Sequence, residues 1–330
     1  MIVITGGCGF IGSALIWGLN RRDIENILVV DLFQTDDRWK NLLNLRFKDL
    51  ISKDAFIEKL ERGALKKVDG ILHMGACSNT LERDTDYLLE NNFHYTKRLA
   101  LWCIKNDVRL VYASSAATYG DGSAGFSDEH KLLHQLKPLN AYAFSKHIFD
   151  LWAYENAYLG KIVGVKFFNV FGPNEYHKGE MRSMVLKAYQ QIEETGSFRL
   201  FKSYRNDYKD GAQMRDFIYV KDAVDMVLHL YDDRHLNGIY NIGTGRARSY
   251  IDMARAVADA MGKELKIEFI EMPDDVKDRY QYFTQADIKK LRDAGYTKKT
   301  IELEDAIDDY VKNYLMTDDA YLGRSEDNQT

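Results

Sequence analysis

The sequence predicts an α/β fold, a doubly wound parallel sheet with a smaller α+β lobe behind it. Three observations predict it. Short apolar, β-branched runs alternate with helix-length segments through the first half. A glycine-rich turn follows the first run, and an aspartate closes the second. Alternation at this spacing builds right-handed βαβ units, whose strands lie parallel.

The elements follow in chain order. Ile2–Ile4, Ile27–Val30, Asp69–His73, Arg109–Ala113 and Ile162–Phe167 read as buried strands. Phe10–Arg21, Asp54–Arg62, Asp84–Asn106 and Tyr142–Leu159 read as the helices between them. After Pro173 the pattern changes. Helices are expected at Met181–Glu194, Lys221–Leu230, Tyr250–Met261 and Leu303–Tyr314, and strands near Phe198–Phe201, Gly238–Ile242 and Leu265–Phe269. Thr317–Thr330 is polar with little periodicity and reads as a loose tail.

Composition narrows the function classes. The 330 residues are 45% hydrophobic and 12% aromatic, enough for a sizeable core and too apolar for disorder. A net charge of −5 argues against a nucleic-acid partner. No apolar run reaches the roughly 18 residues of a membrane span. No basic stretch precedes Ile2–Ile4, so no secretory signal is expected. Cys8, Cys77 and Cys103 suit a reducing cytoplasm better than a disulfide framework. No paired histidines carry a metal-site spacing, and no metal is expected.

Gly7-Cys8-Gly9-Phe10-Ile11-Gly12 sits between the first strand and the first helix. Glycines there let the backbone approach a pyrophosphate, and the helix N-terminus offers unpaired N–H groups and a favourable dipole. Asp31 lies 19 residues after Gly12, where a carboxylate can bond a ribose hydroxyl. The expectation is a Rossmann-type NAD(P)-binding domain over 1–172, a mainly substrate-binding lobe over 173–316 with segments returning to the sheet, and a tail over 317–330. Asp31 alone favours NAD, whereas Arg38, Lys40 and Lys53 could neutralise a 2′-phosphate; Arg38 and Lys53 read equally well as solvated surface.

Tyr142 and Lys146 stand at i and i+4 on one helix face. An ammonium beside a phenol favours phenolate, a base able to take a proton from a carbinol. Ser115 follows its strand at the carboxyl edge of the sheet, where ligands of open α/β sheets bind, and its hydroxyl could bond a substrate oxygen. His73 reads as a satisfied core histidine, Cys77 as packing, His177 as loop polarity and Asp128-Glu129 as a solvated charge pair. Lys178 alone reads as a diphosphate clamp or an exposed loop lysine.

With these motifs, and with Asn169-Val-Phe-Gly-Pro173, Arg215-Asp-Phe-Ile-Tyr-Val-Lys-Asp222 and Asn241-Ile-Gly-Thr-Gly245, the chain resembles the extended short-chain dehydrogenase/reductase family. His73-Met-Gly-Ala-Cys-Ser78, His177-Lys-Gly179 and Arg279-Tyr-Gln-Tyr-Phe-Thr-Gln-Ala-Asp287 make it similar to the ADP-glycero-manno-heptose 6-epimerases within that family. That resemblance implies inversion at C6 through a 6-keto intermediate and re-reduction, with a tightly bound NADP or NAD. Tyr142 and Lys178 would be the two acid/base groups, and Lys146 would bond the nicotinamide ribose. Gly6, Gly9, Phe10, Ile11, Gly12, Leu32, Gly75, Ala76, Cys77, Ser78, Asn79, Asn92 and Val170 would line the cofactor with Asp31, Arg38, Lys53, Lys146 and Lys178. Ser115, Asn169, Glu180, Lys187, Phe201, Arg215 and Tyr280 would meet the ADP-heptose substrate. It further implies a cytoplasmic homo-oligomer, with a pentamer as one form, making the heptose precursor of lipopolysaccharide core.

Some features depart from that pattern. Glu180 replaces a small hydroxyl residue, Lys187 replaces a histidine, and Lys202–Gln213 is longer and more charged than usual. All fall on the substrate side, so a different nucleotide is conceivable there. A hexose 4-epimerase and a non-catalytic cofactor sensor are the rival readings. Dehydration is disfavoured because Ala116-Ala117, not an acidic pair, follow Ser115.

Overall fold

The computed structural model describes residues 1–33, 35–65, 67–277 and 280–324. The first half runs β1 (Ile2–Thr5), α1 (Phe10–Asn20), β2 (Ile27–Asp31), β3 (Asp49–Ser52), α2 (Lys53–Glu61), β4 (Gly70–His73), α3 (Thr85–Leu88), α4 (Tyr95–Lys105), β5 (Arg109–Ser115), α5 (Ala141–Glu155) and β6 (Val163–Phe167). The second half runs β7 (Asn169–Phe171), α6 (Met184–Thr195), β8 (Phe198–Phe201), β9 (Met214–Tyr219), α7 (Val220–Asp232), β10 (Gly238–Ile242), β11 (Ala247–Ser249), α8 (Tyr250–Ala260), β12 (Ile267–Ile270), α9 (Asp274–Lys277), α10 (Lys289–Asp293) and α11 (Leu303–Tyr310).

Seven strands form one parallel sheet in the order β10-β6-β5-β4-β1-β2-β3. One face is covered by α1 and α7 through Leu15, Trp17, Val224 and Val227. The other is covered by α2, α4 and α5 through Phe56, Leu99 and Phe149. The chain leaves β1 first toward β2 and later returns to its other side as β4, so the strand order reverses at β1. Connections diverge there, and a crevice opens at the carboxyl ends of the strands. The lobe adds a β11-β9-β7 sheet and a β12-β8 pair, while β10 lies in the main sheet.

Several expectations need correction. β3 starts with charged, exposed Asp49 and is a half-exposed edge strand, too weak in pattern to read from sequence. Asp84–Asn106 is not one regular helix. A π-helical turn over Leu89–His94 joins α3 to α4 and carries Asn91 and Asn92. Helix α6 starts at Met184, where the Ser183 hydroxyl accepts from the Leu186 N–H. Asp128 is buried, accepts the Asn241 N–H at 2.9 Å, and is pushed up to about 6 by burial. The tail is packed as far as Arg324: Leu322 is 0% exposed and donates its N–H to Asn174. Residues 325–330 of the expected tail lie outside the described residues.

A polar seam lies inside the sheet–helix interface. Asp150 of α5 is fully buried. It accepts from the Tyr112 hydroxyl at 2.9 Å and the Ser114 hydroxyl at 2.7 Å, and pairs with Lys166 of β6 at 2.8 Å. Removing one member of a buried pair strands the other charge in low dielectric, at a cost of about 3–5 kcal/mol. Asp150→Ala is therefore expected to lose about that much stability in urea denaturation, and Asp150→Ala with Lys166→Met to recover a good part of it.

Candidate active site

A cleft of about 650 Å³ occupies the crevice at β1. Gly6, Gly9, Phe10, Ile11 and Gly12 form its floor, and Gly75, Ala76, Cys77, Ser78 and Asn79 form the facing loop after β4. The two loops touch backbone to backbone. Gly6 has φ +66°, and a Cβ there would stand 2.6 Å from the Gly75 nitrogen. A Cβ at Gly12 would stand 2.0 Å from the Gly6 carbonyl oxygen. Helix α1 has no side-chain N-cap and no acidic residue in its first turn. Helices α2, α5, α6 and α8 are capped by Ser52, Asn140, Ser183 and Ser249. The N–H groups at the α1 terminus are thus left for an anion, and this cradle fits the diphosphate of a dinucleotide.

The rim beside α1 carries Asp31, Leu32, Arg38 and Lys53. Asp31 ends β2, and its carboxylate accepts the Cys8 N–H at 2.8 Å and the Leu32 N–H at 2.7 Å. Arg38 reaches Asp31 at 3.4 Å and holds Asp36 through Nε at 2.7 Å. Lys53 donates to the Asn91 side chain at 2.6 Å. Leu81, Tyr87, Asn91 and Tyr95 also line this side. Sequence reasoning missed them. Asn91 had a signal in the sequence only as half of the Asn91-Asn92 pair, which the π-helical turn carries.

Asn92 is buried behind the cleft wall, not on it. Its amide accepts the Cys77 N–H at 2.8 Å and donates to the Cys77 carbonyl at 2.9 Å, fixing that loop. His73 is satisfied on both nitrogens, by Thr5 at 2.5 Å and Thr96 at 2.9 Å, and burial drops its pKa to about 3. It stays a neutral core residue, as the sequence led us to expect.

Helix α5 presents Tyr142 and Lys146, both buried, toward the end of β5. The Ser115 hydroxyl, which accepts the Ala117 N–H at 3.1 Å, favours the ionised form of the Tyr142 phenol. Lys146 donates to the Ala113 carbonyl at 2.9 Å. The expected lowering of the phenol by Lys146 is not found. Burial pushes the Tyr142 phenol above its ordinary value, and the Ser115 hydroxyl only partly offsets this. The physical reason is that the Lys146 ammonium is directed at a backbone carbonyl. Burial drops Lys146 itself to about 8, with Asp150 pulling the other way.

Lys178 enters the same cleft from the turn Tyr176–Met181. It is not the exposed loop lysine that its residue type would allow. Its ammonium lies 5.5 Å from the Phe10 ring, and burial lowers its pKa, opposed by Glu175. It makes no ion pair among the described residues. His177 lines the cleft too, beside Arg38 and Asn41, with its pKa lowered to about 4 chiefly by burial.

On the substrate side, Arg215 of β9 lies between the rings of Tyr250 at 5.5 Å and Tyr280 at 5.3 Å. Phe201 meets Tyr280 at 6.1 Å. These three expected residues form one cluster. Asn169 is exposed at the start of β7, and Val170 is half-buried beside it. Glu180 lines the cleft mouth and pairs with Lys187 at 3.3 Å, so its charge is offset. Arg279 lies outside the described residues.

Residues 2–243 match the model of the NAD dependent epimerase/dehydratase family. An ADP-L-glycero-D-manno-heptose-6-epimerase of Nitratidesulfovibrio vulgaris (strain DP4) is 51% identical, covering 98% of this chain and 100% of the relative. The crystal structure of Helicobacter pylori ADP-L-glycero-D-manno-heptose-6-epimerase is 27% identical with a TM-score of 0.80, covering 94% of this chain and 95% of that one. A Thermus thermophilus UDP-glucose 4-epimerase in complex with NAD is 24% identical with a TM-score of 0.72, covering 94% and 97%, and shares the fold.

The Lys146 environment gives a pH prediction. Its folded pKa of about 8 lies below the ordinary 10.5, so between those values the unfolded chain holds a proton that the folded chain lacks. The burial penalty is present in full below pH 8 and is relieved as pH rises toward 10.5. A carbon-13 NMR titration of the lysines should show one Lys146 midpoint near 8 in the unliganded protein. A midpoint in the ordinary range contradicts this environment.

Proposed function

From the premise that the chain belongs to the NAD dependent epimerase/dehydratase family, we propose that it inverts C6 of the heptose in ADP-glycero-manno-heptose. The observation that carries this reading is Lys178, a half-buried ammonium without an ion pair among the described residues, in the same cleft as the glycine cradle. An unpaired charge drawn partly out of water costs stability and marks a candidate for chemistry.

C6 is a secondary carbinol with no adjacent carbonyl, so its C–H is not acidic and inversion by proton abstraction is unavailable. A nicotinamide bound in the cleft supplies the hydride acceptor and donor that the carbon requires. The protein must then move a proton at the C6 oxygen on each side of the reaction. Burial sets Tyr142 and Lys178 in opposite resting states. Tyr142 keeps its proton and can donate it, while Lys178 is more easily neutral and can accept one. For the opposite epimer the two exchange roles, as microscopic reversibility requires. Ser115 would hold the oxygen beside Tyr142, Lys146 would hold the ribose, and Arg215, flanked by tyrosines, would take the diphosphate.

The same reading gives the cofactor as tightly held NADP. Both oxygens of Asp31 already accept backbone N–H groups, and Arg38 and Lys53 stand at the rim where a 2′-phosphate would lie. A charge-assisted bond contributes about 1.5–3 kcal/mol. Arg38→Ala should therefore weaken NADP about 10- to 100-fold in a binding titration and NAD far less. Equal losses for both would assign Arg38 to structure.

The function itself is tested by NMR in D₂O, with ADP-D-glycero-β-D-manno-heptose and no added cofactor. Conversion to the L-glycero epimer with protium kept at C6 is expected. Deuterium at C6 would sink hydride return, and inactivity after NADP and NAD are supplied would sink the substrate. Tyr142→Phe should lose about 10²- to 10⁴-fold in turnover while still binding cofactor.

A further inference from the structure

Lys178 is held from a direction that neither the cleft nor the acid/base chemistry explains. The turn carrying it follows Asn174, which sits at φ +78°, and contains Gly179 at φ +51°. Glycine takes a positive φ freely, but Asn174 there is strained unless its surroundings fix it. The fixing groups lie in Asp319–Arg324 and in the 3₁₀ helix Asp37–Leu42. The Tyr176 hydroxyl donates to the Ala320 carbonyl at 2.6 Å. The Leu322 N–H donates to the Asn174 side chain at 3.1 Å. The Tyr321 ring packs edge-on against Tyr176 at 5.4 Å. From the other side, buried Asn41 donates to both the Asn174 carbonyl and the Cys8 carbonyl of the glycine loop, each at 2.9 Å.

The segment Asp319–Arg324 also grips the cofactor side directly. Asn44 donates to the Asp319 carboxylate at 3.0 Å. Leu322 is fully buried in the same apolar cluster as Leu42 and Leu45. Gly323 has φ +95°, and a Cβ there would stand 2.6 Å from the Asn44 carbonyl oxygen. One short strap therefore joins the wall that carries Arg38 to the turn that carries Lys178.

We propose that Asp319–Arg324 is a clasp whose Tyr176, Leu322 and Gly323 contacts position Lys178 against the cleft. These are positioning residues, acting through Lys178. The proposal rests on the reading of Lys178 as an acid/base group. It predicts that loosening the clasp frees the turn and slows the half of the reaction that Lys178 serves, without disturbing Tyr142.

The test uses the full chain with Gly323→Ala, which the left-handed backbone and the Asn44 contact both oppose, and Tyr176→Phe, which removes only a hydroxyl. In the unliganded protein, amide exchange over Asn174–Met181 should speed up about tenfold or more while α5 is unchanged. In the enzyme, kcat should fall about tenfold or more with little change in KM. Mixed rapidly with each epimer, Gly323→Ala should lose the reduced-cofactor fluorescence given by the same epimer that Lys178→Met loses, and Tyr142→Phe the other's. Unchanged exchange at 174–181, or loss with both epimers alike, overturns the clasp. Full turnover in Lys178→Met overturns the acid/base reading and the clasp's purpose with it. Loss in Lys178→Met beside unaltered exchange and turnover in Gly323→Ala overturns the clasp alone.

Discussion

The contact between Gly6 and Gly75 is the constraint on which the rest of the site depends. It brings two backbones closer than a side chain permits, at the strand where the sheet order reverses. Because those loops meet, the uncapped N-terminus of α1 and the Cys77–Asn79 wall face one cleft. Every other part of the site is hung from that junction. Asp31 holds the glycine loop through the Cys8 N–H, Asn92 holds the opposite loop through both backbone atoms of Cys77, and Asn41 holds the Cys8 carbonyl. The cradle is thus set in place by buried polar side chains whose donors and acceptors the folded chain itself uses.

That arrangement explains what the sequence disclosed. The glycines, Asp31 and the Tyr142/Lys146 spacing were legible because each is a local demand: a turn, a strand end, one face of a helix. The βαβ order was legible because strand and helix periods differ. Asn41, Asn92 and Asn174 were not legible as fixing groups. A buried asparagine looks like any polar residue until its partners, 15 to 161 positions away, are brought to it. β3 and the short β11 escaped for a different reason. Both are half-exposed, so burial never impressed a clear alternation on them.

The tail shows the same limit. Asp319–Arg324 is short and has no periodicity, and its one deep anchor is Leu322. Periodicity cannot register a single buried leucine. Its place follows from hydrogen bonds to Asn174 and Tyr176 and from a left-handed glycine fitting against Asn44, all of them long-range.

Three lysines, two of them buried and Lys178 half-buried, make the final point about charge. Lys166 lies against Asp150 at 2.8 Å and a hydroxyl, so its charge is answered within the fold and its role is to join β6 to α5. Lys146 is answered by a carbonyl dipole, weaker than a carboxylate, and titrates at about 8. Lys178 faces an aromatic ring and the open cleft, with Glu175 near enough only to oppose the effect of burial. The compensating partner weakens along this series, and under the proposed function the roles run with it, from structural to positioning to reactive. Residue type is the same in all three, so the distinction lives in the partners that folding supplies. A lysine whose charge the fold leaves unanswered is the one whose proton can be moved.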